Sequence, residues 1–137
     1  MRKKKGNELN GLAHYFNCNM EGLSFPLLTL VDYKGFRVIA TCQLPIGRDT
    51  LIYGSLKAIV CFSIQLLLCH KKKGSFDGLN VKDEEFKVNE MMKSLGRQLN
   101  IKGHLCGLKK KIVVYSPADI QVHRGKDGRV YILSFSR

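Results

Sequence analysis

The sequence has no CxxC pair, although it holds five cysteines: Cys18, Cys42, Cys61, Cys69 and Cys106. Zinc sites are built on short paired spacings and secreted disulfide frameworks on even counts, so neither is expected. The reading is reduced, mostly buried thiols in an intracellular protein. The sequence also lacks a GxxxxGK[ST] loop, a GxGxxG following a strand and an HExxH pair. That removes the common phosphate-cradling, dinucleotide and metalloprotease signatures. Long apolar runs are missing as well. The longest, Ala58 to Cys69, is interrupted by Ser63 and Gln65 and falls short of the ~20 residues of a membrane-spanning helix. The basic start is not followed by an apolar stretch, so no secretory signal is expected. No internal repeat and no low-complexity linker occurs.

Acid is the scarce charge, with 11 Asp and Glu against 23 Lys and Arg and a net charge of +12. Three runs, Arg2 to Lys5, Lys71 to Lys73 and Lys109 to Lys111, hold ten of the basic residues; without them 13 basic residues face 11 acidic ones. The excess is therefore clustered, as phosphate contacts are and as solvated loops also are. What remains is ordinary: 137 residues, 45% apolar and 25% charged, the size and composition of one folded domain.

Residues 1–22 carry only scattered apolar positions, Leu9, Leu12, Tyr15 and Phe16, and read as a flexible N-terminal segment. The run from Leu23 to Val31 contains Pro26, which points to an edge strand. Asp32-Tyr33-Lys34-Gly35 is a turn, and Phe36 to Cys42 is rich in strand formers, so a hairpin is expected across Lys34-Gly35. Thr50 to Tyr53 offers one more short strand.

Val88, Met91, Met92, Leu95 and Leu99 recur at spacings of three and four, predicting a helix over about 84–99 that buries its methionines. Asp83 is placed to cap its first turn and Asn100 to stop it in a left-handed conformation. Short strands follow at Ile101 to Cys106, Ile112 to Tyr115, Ile120 to His123 and Val130 to Phe135. Gly125-Lys126-Asp127-Gly128 supplies the turn of a second hairpin. The fold class is α+β, a mainly antiparallel sheet with one principal helix, and both hairpins are expected in one sheet.

His14, His70, His104 and His123 are scattered; His104 and His123 lie near strand ends but read as structural. No local pairing supports Cys/His nucleophilic catalysis, and no catalytic residue, metal or cofactor is expected. Aromatics stand beside cations at Tyr33-Lys34, Phe36-Arg37 and Arg129-Val130-Tyr131, a combination suited to stacking on bases and meeting phosphates.

Three stretches together resemble the Clu domain of the clustered-mitochondria family: Asp32 to Ala40, Leu51 to Ser55, and Gly125 to Leu133. Leu99 to His104 and Ser116 to Asp119 are similar to segments between them, in the family's order, over most of residues 32–137. The matching positions form a structural signature of turn and strand residues: Asp32, Tyr33, Gly35, Tyr53, Gly54, Ser55, His104, Gly125, Asp127, Gly128, Arg129 and Tyr131. The resemblance implies a cytoplasmic, non-enzymatic protein that helps position mitochondria, binds messenger RNA and associates with a translation initiation factor. On that reading Lys109, Lys110, Lys111, Arg124, Lys126 and Arg129 are candidate RNA-phosphate contacts. The partners are RNA, the translation machinery or other proteins, with no DNA. Two alternatives stand beside it: a protein-interaction or structural piece without RNA binding, and a degenerate kinase-like nucleotide binder.

Two departures accompany the resemblance. Ser134 stands where the family usually has an aspartate before the aromatic, which disfavours phosphotransfer. Residues at about 56–73 form an apolar insertion at the Gly54-Ser55 junction, either intron sequence carried into the gene product or a genuine loop or helix. Residues 23–137 thus read as a partial Clu-like domain, a fragment or reduced version of a larger protein.

Overall fold

The computed structural model describes residues 4–47, 49–55, 81–107, 110–117 and 119–135. Along them run α1 (Lys4–Asn17), β1 (Leu23–Ser24), β2 (Leu28–Tyr33), β3 (Phe36–Thr41), β4 (Leu51–Ser55), β5 (Val81–Asp83), α2 (Phe86–Gln98), β6 (His104–Cys106), β7 (Ile112–Val114), β8 (Gln121–Arg124) and β9 (Val130–Leu133). The architecture is α+β, as the element order implied. A five-stranded sheet in the order β1-β9-β8-β4-β5 is antiparallel except where β1 runs parallel to β9, pairing Leu23 with Val130. The expected insertion at 56–73 lies outside the described residues.

The Lys34-Gly35 hairpin forms as expected. Lys34 and Gly35 take φ of 47° and 78°, the mirror-image turn whose twist suits a tight hairpin. The Gly125 to Gly128 turn also joins two strands, β8 and β9, but through a longer connection in which Gly128 takes the positive φ, 81°. The expectation that both bends share one sheet is corrected: β2 and β3 form their own two-stranded sheet, as do β6 and β7. Pro26 supplies the reason. It has no N–H for a ladder, so the chain leaves the large sheet after Ser24 and pairs only with itself from Leu28 onward.

The helix α2 buries Val88, Met92 and Leu95, while Met91 and Leu99 are half-buried. Truncating Met92, fully enclosed, costs about 2–5 kcal/mol. Asp83 does not cap the helix. The Glu84 N–H donates to the Ile52 carbonyl at 3.1 Å, so sheet pairing claims these residues first. Asp83 instead accepts a hydrogen bond from Asn89 Nδ2 at 2.7 Å, and the helix starts after Glu85 without a side-chain cap. Its other end follows expectation: Asn100 has φ of 56° and the Ile101 N–H reaches back to the Gly96 carbonyl at 2.7 Å.

The N-terminal segment also departs from expectation. Residues 4–17 are helical, and Tyr15, 4% exposed, packs its ring 5.5 Å from that of Phe135. Glu8 Oε1 accepts the Phe135 N–H at 2.8 Å. A Cβ at Gly11 would overlap the Phe135 backbone, so glycine is what lets α1 come this close.

Three described cysteines, Cys18, Cys42 and Cys106, are free thiols and half-buried rather than enclosed. Cys61 and Cys69 lie outside the described residues. No described helix is long and apolar enough to cross a membrane.

Candidate nucleic-acid interface

The candidate cations fall at two hairpins. Lys110 and Lys111 precede β7 and are exposed; Lys109 lies outside the described residues. Lys126 and Arg129 flank the turn between β8 and β9, both exposed. Among the described residues, Lys110, Lys111 and Lys126 make no ion pair in direct contact, although the Lys110 charge is near enough to Asp83 to favour its carboxylate. Arg129 has only a distant one, its Nε 3.9 Å from Asp127 Oδ2, and the Arg129 side chain is 72% exposed.

Arg124 is placed differently. Its Nε donates to Glu85 Oε1 at 2.9 Å, its Nη2 donates to Glu85 Oε2, and its Nη1 reaches the Gly128 carbonyl at 3.3 Å. This fork joins the end of β8 to the start of α2. The hydrogen bond from Arg124 holds the Glu85 carboxyl below its ordinary range. Most of the guanidinium's donors are therefore spent within the fold.

The family-like positions act as fasteners. The Tyr131 hydroxyl donates to Asp127 Oδ2 at 2.7 Å, and the Arg129 N–H donates to Asp127 Oδ1 at 3.3 Å. These bonds hold the Asp127 carboxyl low and push the Tyr131 phenol up. Gly125 and Gly128 close the turn through a 2.9 Å backbone bond. Tyr53, fully buried in β4, accepts the Tyr115 N–H at 2.8 Å, and burial raises its pKa. Gly54 has φ of 95°, and a Cβ there would strike the Ile120 carbonyl. The backbone of Ser55 pairs with Val81. Asp32 pairs with Arg37 at 2.7 Å on the first hairpin, beside Tyr33 and the turn glycine Gly35.

The two histidines singled out in the sequence belong to different sheets, His104 in β6 and His123 in β8. His104 is exposed, its Nδ1 3.3 Å from the Lys102 carbonyl. His123 is fully buried. Its Nδ1 lies 3.0 Å from Thr50 Oγ1, a hydroxyl that also meets the Gly47 carbonyl at 2.9 Å and accepts the Gly47 N–H at 3.0 Å. Burial pushes the imidazole below its ordinary value, keeping it neutral in the core.

Sequence reasoning did not foresee a half-open groove of about 660 Å³ between β1, α2 and the β8–β9 turn. Leu23, Val88, Met91 and Val130 give it apolar walls, and Lys87 and Arg129 stand among its lining residues. Lys87 was hidden in the pattern because it occupies the polar side of the α2 stripe.

Comparison with known proteins adds one match. The family model described as Clustered mitochondria (CLU) matches residues 1–137, the whole chain, and so includes the N-terminal helix that the motif resemblance had left out. No curated protein and no solved structure matches.

Proposed function

The chain belongs to the clustered-mitochondria family, and on that footing we propose that it is a non-catalytic, cytoplasmic RNA-binding module associated with translation and with mitochondrial distribution and biogenesis. The observation that carries the RNA reading is the group Lys110, Lys111, Lys126 and Arg129: four exposed cations at hairpin ends, three of them without an ion pair among the described residues. Cations left unpaired in this way are available to neutralise phosphates, whereas Arg124, held by Glu85, serves the fold.

The test is the salt dependence of binding to a short single-stranded RNA. Each phosphate contact adds about −0.7 to the slope of log affinity against log salt. Replacing Lys110 and Lys111 together by alanine should flatten the slope by roughly 1–1.5. A salt-independent affinity overturns the reading.

A protein-interaction or structural role without RNA binding has its own observation, the apolar-walled groove beside α2. RNA affinity untouched by the Lys110 and Lys111 substitutions favours it.

A further inference from the structure

The ribbon formed by β2 and β3 has two chemically different faces. Directly opposed residues of an antiparallel pair share a face. Thr29 with Ala40, Val31 with Val38 and Tyr33 with Phe36 therefore lie on one side, and Leu28 with Thr41, Leu30 with Ile39 and Asp32 with Arg37 on the other. Away from the turn, where Asp32 and Arg37 are also exposed, burial divides along the same line. Leu28, Leu30, Ile39 and Thr41 are half-buried, whereas Val31 is 46%, Val38 52%, Tyr33 64% and Phe36 75% exposed. Two aromatic residues, cross-strand partners, thus share the turn end of an open face.

Size and charge narrow what fits there. Six residues per strand at ~3.3 Å and two strands ~4.8 Å apart give a face of about 200 Å². Stable protein–protein interfaces need about 800 Å² per partner. This face is small for a second folded chain and large enough for a few flat rings. Its charged neighbour is Lys34, whose ammonium lies 5.3 Å from the centre of the Tyr33 ring. The ribbon's carboxylate, Asp32, is on the opposite face and bound to Arg37. The open face therefore offers stacking surface and a cation, with the ribbon's own acid turned to the other side.

We propose that Tyr33 and Phe36 form a stacking platform for unpaired nucleobases, with Lys34 meeting the adjoining phosphate. The inference rests on the RNA-binding reading and deepens it, since the lysine clusters by themselves provide charge but no surface for bases. The flexible stem of Lys34 lets its ammonium yield the Tyr33 ring to an incoming base while staying within reach of the backbone.

The test uses the full chain and a fluorescein-labelled short oligouridylate, followed by anisotropy, beside an abasic oligomer of the same length. Tyr33→Ala and Phe36→Ala should each weaken binding by about tenfold and leave the salt slope of the parent unchanged. Tyr33→Phe and Phe36→Tyr keep a ring and should bind within about twofold of the parent. Tyr33→Leu and Phe36→Leu keep apolar bulk without a ring and should lose binding like the alanines. All six variants change one of two exposed side chains, Tyr33 or Phe36, and circular dichroism confirms that each is folded.

Leucine variants that bind like the parent, or an abasic oligomer that binds as well as the base-bearing one, overturn the platform. If the parent binds RNA and only the Lys110 and Lys111 substitutions weaken it, the platform fails and the RNA reading stands. If the parent binds neither oligomer, both fail together.

Discussion

The hydroxyl of Tyr53 and the backbone N–H of Tyr115 meet at 2.8 Å inside the protein, joining β4 of the large sheet to the residue that follows β7. The ring fills the core and its oxygen answers a main-chain donor that has left its own ladder. Tyr53→Phe keeps the ring and removes the acceptor. The buried N–H is then unsatisfied, and stability should fall by about 1–3 kcal/mol in urea unfolding. An unchanged midpoint would show that the N–H finds another acceptor.

Gly54 next to it should be less forgiving still. Gly54→Ala puts a side chain into positive φ and against the Ile120 carbonyl. Positive-φ strain alone costs about 1–3 kcal/mol. With the collision added, thermal unfolding should show Gly54→Ala below Tyr53→Phe in stability.

Acid should loosen the fold through His123. Its folded pKa lies below the ordinary 6.5 because burial disfavours the charged ring. The unfolded chain therefore takes up the proton first. Stability is fully present above pH 6.5 and declines as the pH drops toward the folded value, by up to about 1.4 kcal/mol per pH unit from this group. Urea midpoints measured across that range should fall, and a flat profile above the carboxylate range would contradict the buried neutral ring.

Arg124 and Arg129 should separate in their effects although both are arginines beside one turn. Arg124→Ala breaks the fork on Glu85, which is part-exposed, and should lower stability by about 0.5–1 kcal/mol at low salt and less at high salt. Arg129→Ala should leave stability within about 0.5 kcal/mol and flatten the RNA salt slope by about 0.7.

Nucleotide binding gives a contrasting expectation. The Asp127 carboxylate already accepts from Tyr131 and Arg129, and Ser134 stands where a second acid would be needed. ATP with magnesium should therefore leave the thermal midpoint unchanged. A concentration-dependent rise would revive the kinase-like reading.

Much of this was legible because it is local. The turn at Lys34-Gly35 is written in two adjacent residues, and α2 in a stripe repeated over four turns. The N-terminal helix was missed because its buried contacts are few, with Leu12 and Tyr15 doing what a longer stripe usually does and Gly11 contributing by having no side chain. Pairing between sheets was also beyond reach, since Pro26 announces that a ladder stops without saying where the chain goes next. For the candidate interface, sequence supplied the cations but not their company. Only the fold reveals that Arg124 faces Glu85 while Lys126 faces solvent. Ser134 shows the same limit: its φ of 67° is a conformation that aspartate and asparagine enter more readily than serine, and nothing local in the sequence announces it.

The bond from Glu8 to Phe135 spans 127 residues, and β1 meets β9 across a similar separation. A ribosome adding roughly 5–20 residues per second takes on the order of ten seconds to cover that distance. Through that interval the first helix has no final strand to receive Tyr15. Nascent chains stalled before residue 130 should therefore remain sensitive to protease near Tyr15, with protection arriving only once the closing strand has emerged.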